Sequence, residues 1–339
     1  MPDNQLKVGV IGAGSIGDSH MRSYVRHPKS DLIAVCDIVR QRAQKASTEF
    51  GADHVYTDYS RMLELPELDA VSICLPNFLH APASIEALEA GKHVLCEKPF
   101  AVNAEQAEDM VSAAEKSGMR LAVSLNLRHS GEARALRKAA ESGKLGRIYH
   151  GKGGMLRDNA IPRGWFHRKE LSGGGPLLDL GPHILDVTWW IMGKPKPVSA
   201  YGATYAEFGP RGLGKGTWGV GYKEGPFDVE DFAIGLLRFE GGETILVEAS
   251  WVLKAKTITY SYVCGTEGGA TLLPDLEAAA ADGTPLEIEP LPDLEPPARF
   301  VDDIISDKPF VAPAEDGLSV MRMLDAVYKS SESKREVSI

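Results

Sequence analysis

Between Val8 and Asp37 the chain reads Val8-Gly-Val-Ile, then Gly12-Ala13-Gly14-Ser15-Ile16-Gly17, then a helix-spaced stretch, then Leu32-Ile-Ala-Val-Cys-Asp37. A short apolar run that meets glycines and passes into a helix is the start of a βαβ unit. There Gly12 permits the tight turn, Gly14 the close approach of a pyrophosphate, and Gly17 the packing of helix on strand. The helix N-terminus offers free N–H groups and a dipole that favours anions, so Gly12 to Gly17 are the expected phosphate cradle. An isolated GxGxxG occurs in ordinary strand–helix turns. What marks a nucleotide site here is Asp37, twenty residues past Gly17 at the end of the second apolar run, where a carboxylate can bind a ribose 2′-OH. That acid repels a 2′-phosphate, so NAD is expected over NADP, although Arg40 and Arg42 lie close by.

With 339 residues the chain has room for two domains and a sizeable core. Its 43% hydrophobic and 25% charged residues are ordinary for a soluble globular protein. The net charge of −10 provides no footprint for nucleic acid or an anionic membrane. No apolar run is long enough to cross a bilayer, and Met-Pro-Asp-Asn-Gln lacks the basic and apolar regions of a signal peptide. The four cysteines, Cys36, Cys74, Cys96 and Cys264, form no CxxC pair and fall mostly in strand patterns, so free buried thiols and a cytoplasmic location are expected.

Along residues 1–125 strands and helices alternate, which makes a parallel sheet covered on both faces and an α/β dinucleotide-binding domain. Helices are expected over Ser15 to His27, Val39 to Phe50, Ala81 to Ala90 and Asn103 to Lys116; short apolar strands include Ala70 to Leu75 and Lys92 to Cys96. From 126 to 339 the texture changes. A helix over His129 to Ser142 is followed by glycine-rich strands, with another helix around Leu180 to Met192, which points to an α+β domain with a large, mostly antiparallel sheet. Leu272 to Pro297 reads as edge strands and loops, a final helix as about 314–330, and Ser330 to Ile339 as a polar tail.

Ligands of open α/β sheets bind at the carboxyl ends of the strands. Pro76-Asn77-Phe-Leu-His80 is one such end and could run along a cofactor. Glu97-Lys98-Pro99 is another. Lys98 would project from a rigid strand end and stabilise a developing alkoxide, unless it is a surface lysine paired with Glu97; the Lys98–Pro99 bond is a candidate cis peptide. In Gly173-Gly-Gly-Pro-Leu-Leu-Asp179-Leu-Gly-Pro-His183, Asp179 falls just before a helix and His183 about one turn in. A carboxylate beside an imidazole raises its basicity, as a general base for an alcohol proton requires. The bland alternative is a helix-start aspartate and a core histidine. A metal site is not expected, because no cysteine or second histidine completes the set. Arg157 and Trp165 lie in a preceding loop, where they could pack on a sugar, and Arg128 follows the last strand of the first domain.

These residues together resemble the Gfo/Idh/MocA family of NAD(P)-dependent oxidoreductases over the whole chain. The resemblance rests on the Gly-rich start with His20, the Pro76-Asn77…His80 loop, Glu97-Lys98-Pro99, Gly173-Gly-Gly…Asp179-Leu-Gly…His183 and the Gly265-Thr-Glu-Gly268 turn. It implies a Rossmann domain followed by a domain whose open sheet makes the interface of a homodimer or homotetramer. It also implies a sugar or cyclitol substrate, with Lys98, Asp179 and His183 lining its site. Pro182 stands where the family more often has a small polar residue. The implied reaction is hydride transfer between NAD and a secondary hydroxyl. Two rival classes remain: a glycosidase that works by transient oxidation, and a nucleotide-sensing regulator, which has no need of the Lys98, Asp179 and His183 set.

Overall fold

The structure, a computed structural model, describes residues 5–214, 216 and 226–339. The first four residues used in the signal-peptide argument lie outside the described residues. Strands and helices follow in the order β1 (Leu6–Ile11), α1 (Ser15–Arg26), β2 (Ser30–Cys36), α2 (Arg40–Phe50), β3 (His54–Tyr56), α3 (Tyr59–Leu63), β4 (Ala70–Ile73), α4 (His80–Glu89), β5 (His93–Cys96), α5 (Ala104–Ser117) and β6 (Leu121–Val123). Next come α6 (Gly131–Glu141), β7 (Ile148–Leu156), α7 (Lys169–Ser172), α8 (Pro176–Asp179), α9 (Gly181–Ile191), β8 (Pro197–Tyr205), β9 (Phe232–Phe239) and β10 (Thr244–Ser250). The chain ends with β11 (Ile258–Gly265), β12 (Gly268–Leu273), β13 (Glu277–Ala280), α10 (Pro296–Ile305), α11 (Ala314–Ser333) and β14 (Val337–Ser338).

Two compact units result. The first comprises residues up to Ser124 together with Leu294–Leu318. Its six strands run in the order β3-β2-β1-β4-β5-β6, all parallel. Chain order reverses between β1 and β4, so the loops leaving those two strands flank the switch point at which such sheets bind ligands. The helices end where local chemistry tells them to. Asn103 Oδ1 accepts the Gln106 N–H at the start of α5, and Gly118, at φ 70°, closes it. The core holds Val8, Val10, Tyr24 and Leu32 with Phe300 and Val301 from α10.

That last pairing differs from a division at residue 125 with everything after it in a second domain. Segment 294–318 returns to the first unit because the apolar face of α10 completes its core. The expectation of loops up to Pro297 missed α10 altogether: Pro296 and Pro297 occupy the helix's first turn, where the missing N–H costs nothing, rather than breaking the chain.

The second unit comprises Leu125–Asp293 and Ser319–Ile339. Its eight strands run β13-β12-β11-β7-β10-β9-β8-β14, antiparallel except for β7 with β10. The glycines of β7 are explained by α9: a Cβ at Gly153 would lie 2.1 Å from Ile184 Cγ2, and one at Gly151 would lie 2.7 Å from Thr188 Cγ2. Helix α9 therefore sits closely on one face. On β9 the alternation is clean, with Ala233, Leu237 and Phe239 buried and Leu236 and Arg238 turned outward. The polar tail is also corrected. The helix runs to Ser333, and Val337–Ser338 pairs with Ala200 and Ser199 of β8 as an edge strand.

Candidate active site

In the first unit the Gly-rich loop is built as a cradle. Gly12, at φ 104°, has no room for a side chain, since a Cβ would lie 2.2 Å from the Cys74 carbonyl oxygen. A Cβ at Gly17 would lie 1.8 Å from the Gly12 carbonyl oxygen, so α1 rests directly on the turn. Gly14 is different: a Cβ there would meet nothing within 4 Å, and Gly14, Ser15 and Ile16 are all exposed. No side chain caps α1, so open N–H groups face open space at a helix N-terminus, which fits a pyrophosphate. Asp37 is buried. Its Oδ2 accepts the Ala13 N–H at 2.9 Å and its Oδ1 the Val39 N–H at 2.8 Å, so the acid expected to meet a ribose braces the Gly-rich loop. Ile38 beside it is 88% exposed, an apolar surface suited to an adenine face.

Pro76 leads from β4 into a turn over Asn77–Leu79, with Asn77 buried. His80 is buried too, and both ring nitrogens are spent on backbone: Nδ1 lies 2.7 Å from the Pro99 carbonyl oxygen and Nε2 2.8 Å from that of Leu75. Burial pushes its pKa down, against the pull of those two carbonyls. His80, read from sequence as a cofactor contact, is instead a clamp between this loop and the turn after Lys98. Glu97 is likewise turned inward. Its Oε1 lies 3.0 Å from His20 Nε2 and its Oε2 accepts the Lys98 N–H at 3.2 Å. His20 Nδ1 contacts Ser72 Oγ at 2.9 Å, and Tyr24 OH meets the same oxygen at 2.6 Å. Burial alone would raise the Glu97 pKa; the His20 hydrogen bond and charge, with help from Ser124 and Lys98, hold it down at about 2. Lys98 thus stands half-buried at the end of β5 on a braced backbone, and the Lys98–Pro99 bond is cis.

In the second unit Glu230 organises the triple glycine. Its carboxylate accepts the N–H groups of Gly175 at 2.9 Å and Leu177 at 3.0 Å and the Tyr328 hydroxyl at 2.8 Å. A Cβ at Gly175 would lie 2.0 Å from the Glu230 carbonyl oxygen, which explains the glycine. Glu230 thereby fixes the start of α8, and Asp179 at its end accepts the Trp251 Nε1–H at 2.9 Å. His183, early in α9, is half-buried with Nδ1 2.9 Å from Asn126 Oδ1.

Three other residues expected near the site are placed as follows. Arg128 is fully buried, and its Nε and Nη2 donate to Asp186 at 2.6–3.1 Å beside the rings of Trp189 and Trp190. It is a brace for α9 rather than a substrate contact. Trp165 is buried, stacked on Phe166 at 4.0 Å between ring centres. Arg157 is half-buried and its backbone N–H donates to the Ser250 carbonyl oxygen, which holds it at the end of β7. Asn126, Glu230 and Trp251 were not singled out from sequence. Asn126 alone carried a signal, as a polar residue three positions past the last strand of the Rossmann sheet. Among the described residues no cluster of three His, Cys, Asp or Glu could hold a metal ion, and no described helix is long and apolar enough to cross a membrane.

Residues 6–125 match the family model described as "Oxidoreductase family, NAD-binding Rossmann fold", and residues 133–271 match the GFO/IDH/MocA C-terminal domain. The whole chain is also 33% identical to D-glucoside 3-dehydrogenase of Escherichia coli (strain K12), covering 99% of that protein. The chain belongs to the Gfo/Idh/MocA oxidoreductases. Levoglucosan dehydrogenase of Pseudarthrobacter phenanthrenivorans is 31% identical over 78% of the chain and 72% of its own length. A solved structure of a levoglucosan dehydrogenase, in complex with NADH and levoglucosan, superposes with a TM-score of 0.84 at 25% identity over 99% of both chains. This Gfo/Idh/MocA oxidoreductase therefore carries an NAD-binding Rossmann fold followed by the family's open-sheet domain. The open helix N-terminus at Gly14 and the acid at Asp37 are the features of its first unit that fit NAD.

Proposed function

We propose that this oxidoreductase oxidises a secondary ring hydroxyl of a sugar, such as a glucoside or an anhydro sugar, or of a cyclitol. NAD⁺, when bound, supplies the hydride acceptor. Gly12 to Gly17 hold its pyrophosphate, Asp37 the adenosine ribose, and Ile38 an adenine face. Lys98 donates a hydrogen bond to the reacting oxygen and lowers the energy of the alkoxide as its proton leaves. His183 takes that proton, and the negative charge of Asp179 favours the imidazolium that results. The second unit provides the substrate side chains, and the outward face of its sheet, with Tyr201 and Leu236 exposed, meets a second copy. A cytoplasmic location belongs to the same proposal, and four free thiols are compatible with it.

The observation that carries this reading is the Lys98 backbone, locked from behind by Glu97 and flanked by the His80 clamp at the ligand-binding end of the sheet. Relatives named for a glucoside and for levoglucosan support the substrate class. The test is absorbance of NADH with NAD⁺ or NADP⁺ and a panel of methyl glucosides, anhydro sugars and inositols. Lys98→Met and His183→Gln should each lose roughly two to four decades of turnover, the usual worth of such groups, with NADH affinity retained. Full activity in either variant removes its assigned role. Cleaved glycoside without free NADH would favour the transient-oxidation glycosidase.

A further inference from the structure

We propose that Asn126 is the residue that sets the His183 tautomer, holding hydrogen on Nδ1 so that Nε2 is the basic nitrogen; this rests on His183 being the base. The carboxamide oxygen of Asn126 lies 2.9 Å from His183 Nδ1, and an amide oxygen can only accept. The hydrogen between them therefore belongs to the ring. In a neutral imidazole the remaining nitrogen then carries the lone pair, and it is the one able to take a proton.

The placement is not incidental. Asn126 opens the 3-10 turn Asn126–His129, and Arg128 of the same turn is bonded to Asp186. His183 and Asp186 are three residues apart on α9 and so share one face. One turn thus grips α9 at two successive rungs. The lower grip is a fully buried ion pair, which fixes the turn, and the upper grip is the amide on the imidazole. Among the described residues of this unit, the charges on the neighbouring elements include Asp179 at the end of α8, engaged by Trp251, and the ion pair of Arg128 with Asp186. Asn126 is neutral, so it orients the ring without adding charge that would strengthen its hold on a proton.

The test uses the full chain labelled with 15N-histidine, with His183→Gln to assign the His183 signals among the nine histidines. The native protein should show the Nδ1–H tautomer of neutral His183. Asn126→Asp keeps the acceptor and adds a charge, so it should keep that tautomer and raise the ring's titration midpoint by about one unit. Asn126→Leu removes the acceptor, so the tautomers should mix and turnover should fall roughly tenfold to a hundredfold, a part of what a general base is worth. An Nε2–H tautomer in the native protein, or identical tautomer and titration in all three proteins, overturns the assignment. Full turnover in His183→Gln instead overturns the catalytic reading, whichever tautomer is found.

Discussion

Asp37 makes two bonds that a ribose-binding acid does not require, one to Ala13 in the phosphate loop and one to Val39 at the start of the next helix. Hydrogen bonds to a charged acceptor are worth about 1.5–3 kcal/mol each. Losing the carboxylate therefore loosens the cradle as well as the ribose contact. Asp37→Ser should weaken NADH binding by roughly tenfold or more, on that energy scale, and should weaken NADPH binding less, because the repulsion of a 2′-phosphate goes with the charge. Titrating both nucleotides by fluorescence gives the ratio; an unchanged ratio would show that discrimination lies elsewhere, with Arg40 and Arg42 the next residues to test. The same residue shows what a sequence makes legible. Its spacing from Gly17 suggested a ribose role, while its grip on Ala13 has no local pattern.

Strand β5 is tied to α1 and β4 by one buried chain of hydrogen bonds, Tyr24 to Ser72 to His20 to Glu97. Its pH behaviour follows from Glu97, whose pKa falls from 4.5 to about 2 on folding. A depressed acid stabilises the fold fully above its unfolded pKa, and that contribution is lost as pH falls from about 4.5 towards 2. In Glu97→Gln the acid-side loss of stability should be shallower across that window, measured by urea unfolding at successive pH values; identical slopes would remove Glu97 from the account. At this scale the elements with local punctuation were legible, such as the helix expected from Asn103, whose side chain caps α5. Those set by distant partners were not. Arg128 looked like a ligand residue because nothing near it in sequence announces Asp186. Helix α10 was hidden by two prolines whose meaning depends on whether a helix follows. For the candidate site, Lys98 and His183 were proposed from motifs, whereas Asn126 and Glu230 are joined to their partners only by the fold.

For the molecule as a whole, the Rossmann unit is discontinuous, finished by Leu294–Leu318. Phe300 and Val301 are both essentially buried in the cluster around Val8, Tyr24 and Leu32. Removing a buried phenylalanine side chain typically costs about 3–5 kcal/mol, a large share of a domain's stability. Residues 1–125 expressed alone should therefore melt well below a version in which segment 294–318 is joined back through a short linker, and should bind NADH more weakly. Equal melting temperatures would show that α10 is dispensable. The ribosome meets this arrangement in one direction only. The nucleotide fold is translated first, yet its closing helix emerges after all strands of the other sheet but β14, so a nascent Rossmann unit waits with an apolar seam uncovered while the slower, long-range pairings of that sheet are being made. Premature termination anywhere before α10 leaves that seam open, so the first unit is completed only once residues 294–318 have been made.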